Sequence, residues 1–266
     1  MKTTSDKKSE LKVNGSRRGE GTTYNAPAVD KTLDILELLG DAPEGMSLTG
    51  IAEGLGRTKQ EIFRVLVCLQ ERGYLIRDRA QSYRLSTKLF EIGSRHSTTQ
   101  ALVARATPHM QVLAGEVRNS CHLSIVVQNR MLAVARMDSD ADVVLTVRVG
   151  ATFEMHRGTS GRVALAHLSE EVRDEYWRES GESAKQIGEI EKQLCEIREQ
   201  GFAEIESLQM DGVTDCAVPI LTGGGNLLGV LCVSHIRTKG EAASRPDIVR
   251  GVLNTAKLIS EEFSRE

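Results

Sequence analysis

Between residues 26 and 86, apolar positions recur every three or four residues in three short blocks, then every second residue in two shorter ones. The first block, AVDKTLDILELLGDAPEG, sets Val29, Leu33, Leu36 and Leu39 on one helical stripe, which Gly40, Pro43 and Gly45 bring to an end. The second, SLTGIAEGLG, gives a shorter helix with Leu48, Ile51, Ala52 and Leu55 inward, Ser47 as its cap and glycines at 54 and 56 to close it. In the third, Thr58 and Glu61 match the S/T-x-x-E capping box. The helix they open carries Ile62, Val65, Leu66 and Leu69 to Arg72 and stops at Gly73. YLIR at 74–77 and SYRLS at 82–86, joined by DRAQ, then predict a hairpin. Three helices and a hairpin in about 60 residues is the winged helix-turn-helix pattern.

Beyond residue 87 the pattern predicts a connecting helix near 87–97 and a second near 101–118, broken or bent by Pro108. From Cys121 the period becomes two, or the runs wholly apolar: HLSIVVQ, a turn at Asn129–Arg130, MLAVARM and VVLTVRVG read as strands. GTSGRVALAHLS returns to helix, Ser169 opens another, and Ser183 with Gln186 forms a second capping box before Ile187, Ile190, Leu194 and Ile197. FAEIE, DCAVPIL and NLLGVLCVSHI are strands, the last two joined by Gly223–Gly225. Pro246 starts a final helix with Ile248, Val252, Ala256, Ile259 and Phe263 inward. This half reads as a mixed sheet with helices packed against it.

The fold class is therefore α+β. A polar tail over 1–24 is expected to be disordered, followed by a winged helix-turn-helix at 25–87, a linker helix at 88–100 and a sheet domain at 101–266. Charge agrees with that division. Residues 1–100 carry 16 Lys and Arg against 13 Asp and Glu, leaving 18 against 24 beyond them, so the basic end is the helical one. Five scattered cysteines without a C-x-x-C pair fit a reducing cytoplasm, and no apolar run reaches the roughly 18 residues of a membrane span.

If Ile62, Leu66 and Leu69 are buried, the opposite face of the third helix offers Gln60, Phe63 and Arg64. Those side chains suit adenine, a thymine methyl and guanine in a DNA major groove. Lys59, Arg77, Arg79 and Arg84 stand where a helix start and a wing would meet phosphates. A solvent-facing helix would also carry such charges, and Glu61 and Glu71 blunt the positive face. The alternative for the whole chain is a small-molecule-binding or catalytic domain with a helical dimerisation module and no DNA binding.

The order PAVDKTLDILELL, SLTGIAEGLG, RTKQEIFRVLVCLQERGYL, YRLS, KLFEIG, then TVRVGATFEMHRGTSGRVALAHLS, REQGFAEIE and AVPILTGGGNLLGVLCVS, resembles the IclR family of bacterial transcription regulators over about residues 25–264. The resemblance implies a ligand-responsive, non-enzymatic regulator. It would have a GAF-like effector domain and bind a palindromic double-stranded DNA operator as a homodimer or homotetramer, with no cofactor or metal. By position it puts Thr159, Ser160, Asp215, Cys232 and Ser234 in an effector pocket with Leu145 and Val147 on its apolar wall. Many members carry Ser-Thr where this chain has Gln60-Glu61, and usually Lys where it has Arg162, so neither operator nor ligand geometry transfers directly.

Candidate chemistry adds little. Ser160 lacks a G-x-S-x-G frame and a general base, so it reads as a helix start whose N–H groups suit a small carboxylate. His156 has no evident carboxylate partner, and His109, His122, His167 and His235 lack ligand spacing. Cys216 and Cys232 read as buried thiols. A carboxylate at Asp215 would repel a bare anion unless the ligand also offers hydroxyls, which points to a sugar acid or hydroxylated acid, with an aromatic acid as the alternative.

Overall fold

The structure is a computed structural model that describes residues 26–93, 97–207, 210–236 and 245–264. The expected polar tail and the middle of the linker lie outside the described residues. The chain divides into two compact units between residues 95 and 96.

In the first unit, α1 (Pro27–Gly40), α2 (Leu48–Gly54) and α3 (Lys59–Glu71) enclose a core of Ile35, Leu39, Ile51, Ile62, Leu66, Leu69, Leu75 and Tyr83. Burying each large side chain is worth about 1.5–3 kcal/mol, which holds α3 at a fixed rotation. The Ser47 hydroxyl accepts from Gly50 N–H at 3.1 Å at the start of α2. The Thr58–Glu61 box opens α3, and Gly73, at φ +77°, takes the left-handed turn beyond it. The strands β2 (Leu75–Arg77) and β3 (Ser82–Leu85) form the hairpin, and β1 (Met46–Ser47) adds to the free side of β3, pairing Met46 with Tyr83. That two-residue strand has no periodic signature. A short helix, α4 (Lys88–Gly93), ends the unit.

The α1 stripe differs from expectation. Val29 and Leu33 are 55% and 50% exposed, and Ile35 and Leu39 make the core contact. Several apolar residues lie on more than one face of α1, and packing against α3 selects Ile35.

In the second unit, α5 (Ser97–Val117) runs unbroken through Pro108. The strands β4 (Cys121–Val127), β5 (Arg130–Met137), β6 (Thr152–Glu154), β7 (Ala203–Glu206), β8 (Val213–Leu221) and β9 (Leu227–Ile236) form a six-stranded sheet in the order β6-β5-β4-β9-β8-β7. Every pairing is antiparallel, so helices and strands are mixed along the chain but strand directions are not. Alternation along β8 and β9 sends Cys216, Val218, Ile220, Leu231 and Val233 into one core with α5 and α9 (Pro246–Phe263). Ala217, Val230 and Cys232 go to the other face, under α6 (Thr159–His167), α7 (Glu170–Ser180) and α8 (Ala184–Gln200). The segment 143–150, expected as a strand, joins no ladder. Its period-two pattern survives only as Leu145 and Val147 half-buried, with Val143 72% exposed.

Candidate nucleic-acid face and effector cavity

The α3 face fits the geometry of a recognition helix. Gln60, Phe63 and Arg64 are exposed opposite the buried Ile62, Leu66 and Leu69, and Phe63 keeps 46% of its surface in solvent. They border a shallow groove with Leu48 and Lys59. Glu61 does not blunt this face as a free charge. Its carboxylate accepts from Thr58 N–H (2.9 Å) and the Thr58 hydroxyl (2.8 Å) and lies 3.7 Å from Lys31 Nζ. These bonds, the Thr58 backbone bond first, hold its pKa below the ordinary value. In the wing, Arg77, Arg79 and Arg84 are exposed, and the Arg77 guanidinium lies 5.1 Å from the centre of the Tyr83 ring. The turn between β2 and β3 is closed by Asp78, whose carboxylate accepts from Ser82 N–H, and by Gln81 in the left-handed region at φ +66°.

In the second unit, a cavity of about 410 Å³ opens between the sheet and the start of α6. Thr159 and Ser160 line it from α6, Asp215 from β8, and Cys232 and Ser234 from β9. Leu145 and Val147 lie across from them on the 143–150 loop. Residues spread over 90 positions meet here because Asp215 faces Ser234 in register and Cys232 lies two residues before Ser234 on the same face.

Asp215 accepts from the Ser234 hydroxyl at 2.6 Å and from the Thr159 hydroxyl at 3.4 Å. Burial nevertheless pushes its carboxyl above the ordinary pKa, against the pull of those two hydroxyls and of His235. Ser160 hydrogen-bonds the Cys232 thiol. Burial raises that thiol well above its usual range and pushes Cys121 and Cys216 up to about 12, so all three stay protonated and unreactive.

The helix start is fixed by a contact that only glycine permits. A Cβ at Gly161 would lie 2.1 Å from the Met155 carbonyl oxygen. Gly158 caps α6 without a side-chain bond, so the first-turn N–H groups have no capping oxygen from a side chain, and Gly158, Thr159 and Ser160 of this helix start line the cavity.

Among the cavity residues that sequence reasoning did not single out as ligand-facing, Arg162 and His122 are the buried ionisable ones. Arg162 is buried, donating from Nε to the His156 carbonyl (2.9 Å) and from Nη1 to Gln193 Oε1 (2.7 Å). No carboxylate pairs with it among the described residues, and burial lowers its pKa. His122, the other, lies on β4; the one available signal was its place in an alternating strand opposite Cys232.

His156 does have a carboxylate partner, contrary to expectation. Its Nε2 lies 3.0 Å from Glu182 and its Nδ1 2.5 Å from the Tyr176 hydroxyl. Those partners come from α7 and the turn after it, a distance in sequence that no local motif reveals. Arg157, at the cavity rim, is occupied by Glu154 (2.8 Å) and Glu182 (3.6 Å).

A winged helix-turn-helix with an exposed α3 face, and a sheet domain with a cavity that several polar side chains line, fit a ligand-binding, DNA-binding regulator. The profile of the IclR helix-turn-helix domain matches residues 28–79, and that of the bacterial transcriptional regulator IclR C-terminal domain matches 95–261. The chain belongs to the IclR family of bacterial transcription regulators. It is 25% identical to the HTH-type transcriptional regulator KdgR of Dickeya chrysanthemi, over 89% of this chain and 79% of the relative. Among solved structures, an IclR homologue from Microbacterium hydrocarbonoxydans complexed with 4-hydroxybenzoate superposes with a TM-score of 0.75. It is 21% identical and covers 89% of this chain and 98% of its own. The IclR transcriptional regulator of Alicyclobacillus acidocaldarius gives 0.70 at 24% identity, covering 90% and 99%.

Proposed function

We propose that this regulator binds a palindromic operator as a homodimer or a dimer of dimers in the cytoplasm. A hydroxylated organic acid in the second unit would shift it between two arrangements, and the protein would catalyse no reaction. Gln60, Phe63 and Arg64 read bases, while Lys59, Arg77, Arg79 and Arg84 hold phosphates. Apolar side chains left exposed on the first unit, Val29 and Leu33 of α1 with Phe90 of α4, support pairing of two copies. Among the described residues no helix is long and apolar enough to cross a membrane.

The observation that carries the ligand class is the coexistence, around one cavity, of the α6 start with Arg162, which pairs with no carboxylate among the described residues, and a half-buried carboxyl held by two hydroxyls. Arg162 and the α6 start favour an anionic group. Asp215 with Ser234 and Thr159 favours a hydroxyl and penalises a second anion. An acid that also carries hydroxyls satisfies both. Relatives with a carboxylate-and-hydroxyl ligand exist: the Microbacterium hydrocarbonoxydans homologue is complexed with 4-hydroxybenzoate.

The test is calorimetric titration of the full chain with sugar acids, aromatic acids and short keto acids, repeated with Asp215→Asn and Ser160→Ala. Binding of a hydroxylated acid that weakens in both variants is expected. Binding of an apolar neutral ligand alone, indifferent to both changes, contradicts it. Selection of duplexes from a random DNA pool tests the operator: a palindromic consensus is expected, with affinity falling steeply as salt rises.

A further inference from the structure

On the sheet side of the cavity, one buried polar side chain, that of His122, is left over once the hydroxyls around Asp215 are assigned. His122 on β4 faces Cys232 on β9, and Ser234, two residues further along β9, faces Asp215 on β8. Strand alternation therefore puts His122, Cys232, Ser234 and Asp215 on one face of the sheet. The ring of His122 lines the cavity, the residue is only 6% exposed, and no hydrogen bond, ion pair or ring contact of its side chain occurs among the described residues.

Its neighbours on that face are already committed, Ser234 to Asp215 and Cys232 to Ser160. An imidazole carries one donor and one acceptor when neutral, and a ligand that fills the cavity leaves them unmade, at a cost, unless it pairs with them. Burial keeps this ring neutral, bringing its pKa down to about 4. A neutral ring is no counter-ion for a carboxylate, but it pairs with a hydroxyl or a carbonyl. Because β4 and β8 flank β9, this polar point stands roughly 10 Å across the floor from Asp215, too far for one oxygen to serve both.

We propose that His122 is a ligand-binding, specificity-determining residue that recognises a second neutral oxygen of the effector. The cavity would then take an acid with at least two hydroxyl or carbonyl groups besides its carboxylate, one held at Asp215 and Ser234 and the other at His122. This rests on the reading of the cavity as an effector site for an acid. It separates polyhydroxylated acids from acids with a single hydroxyl, which could satisfy only one of the two points.

The experiment titrates the full chain with D-gluconate, D-galacturonate, 6-hydroxyhexanoate and 4-hydroxybenzoate, using the native protein, His122→Leu and His122→Asn. Thermal melting of each variant checks that the fold is kept. A polyhydroxylated acid is expected to bind the native protein at least about tenfold tighter than either monohydroxy acid. His122→Leu should lose about tenfold for it and change the monohydroxy acids by less than about twofold, with His122→Asn between. Two results overturn the assignment: His122→Leu binding the polyhydroxylated acid as tightly as the native protein, or all acids weakening equally in a variant that still melts cooperatively. Native protein that binds none of the four acids overturns the acid reading itself, and the role of His122 with it.

Discussion

The two polar surfaces of this molecule are built in opposite ways. On α3 the proposed reading groups follow one another within five residues, exposed, and the buried side of the same helix holds them in place. Around the cavity the polar groups are buried, come from four secondary-structure elements, and are held by strand register and by hydrogen bonds to one another. A side chain on the first surface can change with little effect on its neighbours. A change in the second removes the hydrogen-bond partner of a group that is largely withdrawn from solvent.

That contrast can be broken most severely at Gly161. Gly161→Ala drives a methyl into the Met155 backbone and is expected to cost more than about 4 kcal/mol. Calorimetry of the full chain should show the transition of the second unit lost or strongly lowered while DNA-binding helices still melt. Next comes Arg64→Ala, expected to cost about 1–3 kcal/mol on the selected operator and much less on random duplex. Equal loss on both would remove Arg64 from base reading.

The buried surface should also be the pH-sensitive one. His122 is held near 4, against an ordinary 6.5, so below pH 6.5 the unfolded chain takes up a proton that the folded chain refuses. Its contribution to stability is whole above that pH and declines on acidification, by about 2 kcal/mol near pH 5. Chemical denaturation at both pH values should show this increment reduced in His122→Asn.

Smaller effects belong to the exposed unit. Thr58→Ala, which removes the hydroxyl half of the capping box and leaves the Thr58 N–H bond to Glu61, should lower its stability by about 1 kcal/mol, read as a shift in denaturation midpoint. Gln81→Gly in the wing turn should raise it by about 0.5 kcal/mol, since a left-handed φ favours glycine. A loss on that change would mean that the Gln81 side chain matters to the turn.

What the sequence disclosed follows the same divide. The limits of α3, its caps and its outward residues were legible because capping, periodicity and exposure act over a few residues. Resemblance to the family supplied the positions of Asp215, Ser234 and Thr159; periodicity alone gave no reason to join them. His122 was passed over because ligand spacing along the chain was the criterion, whereas its companions are across the sheet. The 143–150 segment was misread because alternation reports which side chains face inward, not whether the backbone has a ladder partner; Leu145 and Val147 face the cavity without one. Val29 and Leu33 share a stripe with Leu36 and Leu39 yet stay exposed, because a stripe says that apolar residues share a face, not what covers them.

The alternation of β8 and β9 has a consequence for how such a receptor can diversify. Asp215, Cys232 and Ser234 occupy the positions that face the proposed effector cavity, and Cys216, Leu231 and Val233 between them belong to the core under α5 and α9. Descendants of this chain can therefore acquire a taste for a different molecule by rewriting every other letter of two strands, leaving the intervening letters, and the fold they specify, as inherited.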